Sequence, residues 1–228
     1  MRRCLMAILV VGLVSLSTSE ASAQPSLKDV AAYSALVFTP VGSHAPMQMQ
    51  KANAFAVRFS HFSQEGSDGT NNLAGSYFMK AGSNALVGGT LGYIMPGCDN
   101  CDGVFNAGVN LNSSLWSNAS GAAIGMSGDL GWAKEDETTF LSAAIGVPLS
   151  ISKEQASKSR ISAFVAPGFG FGRVSADAGS ESGTRPIIGA GAAYQAVGGW
   201  ALHAAFQKVM IENGGNNIGL GFSYKMGN

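Results

Sequence analysis

A chain of 228 residues with 14 basic and 14 acidic side chains has no formal net charge, so it lacks the basic excess that points to nucleic acid. Charged residues make up 12% of it and glycine occurs 31 times, whereas a soluble domain devotes about a quarter of its residues to charge. No apolar run beyond residue 24 reaches the length of a membrane-spanning helix, so a closed barrel is left as the structure that satisfies every backbone polar group in lipid.

The first residues read as an export signal, 1–23. Arg2 and Arg3 precede an apolar run from Leu5 to Leu16, and Ala21-Ser22-Ala23 supplies the small residues of a cleavage site before Gln24. The run is short for a bilayer span, and Cys4 stands at the wrong end for a lipoprotein signal. A retained N-terminal anchor is the alternative. Residues 24–52 form a separate N-terminal segment. In it, Ser26 is placed to cap a helix through Leu27, Val30, Ala31, Ser34, Leu36 and Val37 before Pro40. That stretch is either a periplasmic appendage or a plug for the lumen of the barrel.

From residue 53 the sequence alternates with a period of two, the mark of strands between unlike environments. The plainest example sets Phe105, Ala107, Val109 and Leu111 against Asn106, Gly108, Asn110 and Asn112. In a barrel the first group meets lipid and the second faces a polar interior. The alternation predicts strands at roughly 53–62, 73–80, 85–95, 104–114, 120–132, 139–151, 161–174, 186–196, 200–210 and 217–226. The fold class is therefore all-β: a closed, antiparallel, up-and-down transmembrane barrel over 53–228, of about ten strands with eight as the alternative. About ten residues tilted near 45° cover the apolar band of an outer membrane.

The connections alternate in length. Short ones fall at 82–84, 117–119, 153–159 and 198–199; longer ones are expected at 64–72, 96–103, 133–138, 175–185 and 211–216. Short periplasmic turns and longer outer loops put both termini in the periplasm. Glu65, Asp68, Asp99, Asp102, Glu135, Asp136, Glu137, Asp177, Glu181 and Glu212 fall in the outer set, while Lys153, Lys158 and Arg160 mark the inner turns. Tyr77, Tyr194, Trp200 and Tyr224 lie near inner strand ends and Tyr93, Trp132 and Phe171 near outer ones, the positions of two interfacial girdles. Phe78, Trp116, Phe140 and Phe164 break the pattern by falling on the interior parity, and Lys208 falls on the lipid parity; bulges are the device that restores such residues.

Residues 53–226 resemble, by this pattern, the superfamily of small outer-membrane β-barrels that includes OmpA-type, OmpW-type and opacity-type proteins. The resemblance implies fold and a bacterial outer-membrane location.

Four features carry candidate chemistry. Glycines on the interior parity leave room for neighbouring rings to lie flat, for the N-terminal segment, or for a narrow passage. Arg58, Asp129, His203 and Lys225 form a candidate lumen charge cluster, read either as an internal ion-pair plug or as a permeation path. Cys98 and Cys101, spaced Cys-x-x-Cys in an outer loop, are expected to form a disulfide; a metal site would need further ligands, so no metal or other cofactor is assigned. Finally, Arg58-Phe59-Ser60-His61-Phe62-Ser63 is similar to the His-x-Ser element of the lipid A 3-O-deacylases. That likeness implies a serine nucleophile at Ser63, His61 as base and Glu65 as its orienting group. Gln64 replaces the family's Asn, and the motif stands in the first strand rather than near the end.

The function expected from all this is non-enzymatic: an envelope structural or surface-interaction barrel. Its partners would be outer-membrane lipid and lipopolysaccharide, with an external ligand at the acidic loops and no nucleic acid. A narrow solute channel and a lipid A ester hydrolase are the alternatives.

Overall fold

The computed structural model describes residues 52–64, 69–97, 102–176, 179–211 and 214–226. The signal peptide, all of the 24–52 segment but Ala52, Glu65 and the expected Cys98–Cys101 disulfide lie outside the described residues. Eleven strands run in order: β1 Asn53–Ser63, β2 Thr70–Ala81, β3 Ala85–Pro96, β4 Val104–Ser117, β5 Ala122–Glu135, β6 Thr138–Gly146, β7 Leu149–Glu154, β8 Arg160–Ala176, β9 Gly179–Gln195, β10 Trp200–Val209 and β11 Asn216–Met226.

All pairings are antiparallel, and the sheet closes on itself. β1 pairs β11 from Asn53↔Met226 to Ser63↔Asn216. β6 and β7 together make one stave, each pairing β5 on one side and β8 on the other. The result is a ring of ten staves. The expected strand at 139–151 is split because Pro148 has no N–H to donate to the ladder. The break stays hydrogen-bonded: Val147 N–H donates to Pro167 O (2.9 Å) and Gly125 N–H to Pro148 O (2.9 Å).

Two expectations are corrected here. Trp116 does not face the lumen. A bulge between Ser114 and Trp116 sets Trp116 opposite Ile124, which returns it to the lipid parity, and its half-exposed ring stands at the rim of the inner vestibule. Nor are 133–138 and 175–185 long loops. β5 and β6 pair up to Glu135↔Thr138 and β8 and β9 up to Ala176↔Gly179. Turns with positive φ at Asp136 (49°) and Gly179 (136°) make these tight ends possible.

The two faces of the wall differ as lipid and lumen require. Phe105 is 76% exposed, Leu91 72% and Leu220 62%, whereas Asn106, Thr90 and Asn110, of the opposite parity, are buried. Tyr77, Tyr194, Trp200 and Tyr224 are exposed toward the inner rim, and Tyr93 and Trp132 toward the outer one. Tyr194 packs on Trp200 (5.7 Å) and Tyr93 on Phe105 (4.9 Å). An outward apolar belt bounded by amphipathic rings is the surface of a protein that spans a bilayer with strands.

Candidate functional site

The lumen is layered. At its inner end Ala54, Ala56, Phe78, Leu86 and Ala201 pack together, with Phe78 and Leu86 at 0% exposure. At its outer end Phe62, Ile187 and Val209 form one apolar cluster, and Ile94, Val104 and Ala133 another, with Phe140 against it. Phe78 and Phe140 therefore do sit inside, as their parity says.

Between these layers runs a relay of side chains, one from each of five successive strands. Arg58 on β1 donates from Nη2 to Ser76 Oγ on β2. Ser76 Oγ bonds Thr90 Oγ1 on β3 (2.7 Å), Thr90 Oγ1 donates to Asn110 Oδ1 on β4 (2.6 Å), and Asn110 Nδ2 donates to Asp129 Oδ1 on β5 (2.6 Å). Because Thr90 gives its one proton to Asn110, Ser76 is the donor to Thr90. Every bond then points from the cation toward the carboxylate, an arrangement in which each bond polarises the next and both ends are charge-assisted. Asn106 Nδ2 donates to Asn72 Oδ1 (3.2 Å) in the layer above. Phe78 supports the relay from below, its ring centroid 5.7 Å from the Arg58 guanidinium carbon.

The interior glycines make room for their neighbours. A β-carbon at Gly88 would meet the Phe78 ring at 2.6 Å, and one at Gly191 the Phe164 ring at 2.7 Å. At Gly221 it would collide with the His203 imidazole. Gly221 stands directly between His203 on β10 and Arg58 on β1 in the ladder, so its missing side chain brings the imidazole toward the guanidinium. Of the expected charge cluster, Arg58, Asp129 and His203 are buried at mid-barrel. Lys225 does not join them. It pairs with Ala54 and lines the inner vestibule with Lys153, Lys158 and Arg160. Arg160 makes an ion pair there with Glu154 (3.9 Å).

At the outer rim His61 faces outward. Its Nδ1 lies 2.9 Å from Asn71 Oδ1, directly across the β1–β2 ladder. This contact fixes the orientation of the imidazole against β2. Ser63 stands opposite Asn216, and among the described residues no hydrogen bond joins it to His61. Sequence reasoning missed Asn71, Ser76, Thr90 and Asn110. Parity marked the last three as interior, but which of them meet depends on the stagger between strands, for which a single strand carries no signal.

No family model matches the chain, and no curated protein matches it. Solved barrels do. The β domain of the Bordetella autotransporter BrkA aligns with 77% of this chain and 99% of its own, at 10% identity and a TM-score of 0.48. Ail of Yersinia pestis aligns with 77% and 97%, at 12% identity and 0.32. Neisserial surface protein A aligns with 76% and 96%, at 12% identity and 0.35. The class of this chain follows from its own ring closure and outward apolar belt: it is a membrane-spanning β-barrel of the outer-membrane type.

Proposed function

We propose that this protein is a sealed, non-enzymatic outer-membrane barrel that serves the envelope as a surface-interaction scaffold. Lipid and lipopolysaccharide surround its belt, and the strands and acidic loops of the outer end are presented to external ligands. The observation that carries this reading is the burial of the lumen at successive levels: Leu86 and Phe78 below, Ser76 and Asn110 in the middle, Val209 above, none more than 1% exposed. A passage for solutes needs a continuous wet path, and a narrow barrel filled by its own side chains has none. Planar-bilayer recording of the purified chain tests it. No single-channel steps are expected at high protein load; steady unitary steps would replace the scaffold with a narrow channel.

The oriented imidazole of His61 supports a second reading, hydrolysis of a lipid ester with Ser63 as nucleophile. Mass spectrometry of lipid A from cells expressing the chain or its Ser63→Ala variant decides between the two. The scaffold expects identical acylation; loss of an acyl chain in the unmutated protein alone would favour the hydrolase.

A further inference from the structure

β9 outruns one of its neighbours. β8 accompanies it residue for residue to the turn at Ala176↔Gly179, but β10 pairs with it only as far as Val209↔Ile187, with one further bond from Met210 N–H to Pro186 O (2.8 Å). Above that point Gly179–Thr184 has a strand on one side and, among the described residues, none on the other. Ser180, Glu181, Ser182 and Thr184 are exposed. Sheets commonly protect a free edge with proline, lysine or a bulge. Gly179–Thr184 contains none of these; just below it Arg185 donates from Nη1 to Thr184 O (3.0 Å), a local bond that a second strand must displace, and Pro186 follows.

The free edge is self-complementary. Laid antiparallel against the same edge of a second copy and centred on Gly183, it sets Glu181 of each copy opposite Arg185 of the other. Ser182 then faces Thr184, and Gly183 faces Gly183. Residues directly opposite share a face of the sheet, and opposite charges and paired hydroxyls are among the favourable cross-strand pairs. Gly183 at the centre offers no side chain to obstruct the approach. A parallel alignment in the same register would instead set Glu181 against Glu181 and Arg185 against Arg185. We infer that the β9 edge is a homotypic docking strand, which pairs antiparallel with the β9 edge of a second copy by strand addition. The antiparallel two-fold inverts one barrel relative to the other, so the second copy sits in a facing membrane rather than beside the first. Few backbone bonds form per contact. The strength comes from many copies on two opposed surfaces. This inference rests on the scaffold reading above and names its partner.

The test uses the full mature chain in phospholipid vesicles carrying either a donor or an acceptor dye, with clustering read by energy transfer and turbidity. Vesicles of the unmutated protein are expected to cluster. Glu181→Arg vesicles alone and Arg185→Glu vesicles alone are expected to lose clustering, because each places like charges opposite one another. Mixing the two variants is expected to restore it, since every Arg then meets a Glu, and the double variant E181R/R185E is expected to cluster with itself. Restoration on mixing also shows that both variants fold. Unmutated vesicles that fail to cluster would overturn the proposal, as would single variants that cluster undiminished or a mixture that stays dispersed. Binding of a soluble extended peptide at this edge without vesicle clustering would likewise overturn it, in favour of an unlike partner. Bilayer conductance is independent of these outcomes, so a channel reading and a failed edge reading are told apart.

Discussion

Arg58 and His203 show how a narrow lumen holds polar groups. Arg58 spends Nη2 on the relay, while its Nε and Nη1 and the Nε2 of His203 have no hydrogen-bond partner among the described residues. Buried polar atoms in that position are places for ordered water. Gly221 is what lets the imidazole lie there, since a β-carbon would strike the ring. Gly221→Ala is therefore expected to lower the unfolding free energy by about 1–3 kcal/mol, the range for overpacking. His203→Ala in the same chain should return most of it. Urea unfolding in vesicles, monitored by tryptophan fluorescence, measures both; a Gly221→Ala barrel as stable as the parent would mean the ring lies elsewhere. At the far end of the relay, Asp129→Ala leaves the buried Asn110 Nδ2 without its charged acceptor, and a loss of about 1–3 kcal/mol is expected in the same assay.

The elements were largely legible, because alternation is a local property and lipid and lumen impose it on every strand. Phe105-Asn106-Ala107-Gly108 states which side chains face out with no knowledge of neighbours. Three features escaped for physical reasons. Ser175–Arg185 reads as a loop because above the membrane both faces of a strand meet water, and the apolar period disappears. The split at Pro148 costs the ring nothing visible in the pattern, since β6 and β7 keep one parity between the same partners. Trp116 reads as interior because a bulge adds one residue and reverses parity beyond it. That bulge makes a sharp prediction about deletions. Removing Leu115 leaves Trp116 directly after Ser114 and still opposite Ile124, so the barrel should fold and keep Trp116 in lipid. Removing Val109 from the same strand would turn every side chain on one side of the deletion to the wrong face, and folding should fail. Heat-modifiable electrophoretic mobility scores folding, and quenching by brominated lipid tails reports on Trp116. The relay was less legible than the strands that bear it: Arg58 and Asp129 stood out as charges, but Ser76, Thr90 and Asn110 are linked to them only through the register of four ladders.

For the whole molecule, a belt of apolar side chains is favourable only if something apolar surrounds it, and the cost of placing charge on it measures what that is. Leu130 lies opposite Val109 near the middle of the wall and is 59% exposed. Ile161 is 48% exposed, one residue into β8 beside the inner mouth. In water the two positions would behave alike, and arginine at either would change stability little. In a bilayer they differ with depth. Leu130→Arg should cost about 2–4 kcal/mol, while Ile161→Arg, whose guanidinium reaches the headgroups, should cost about 0–1 kcal/mol. Unfolding of both variants in phospholipid vesicles against the parent chain gives the two values directly. A steep difference locates the hydrocarbon centre at the Val109–Leu130 level. Equal and small costs would mean that lipid never surrounded the belt, and the barrel would then lose its membrane, its orientation and the facing surface on which the β9 edge depends.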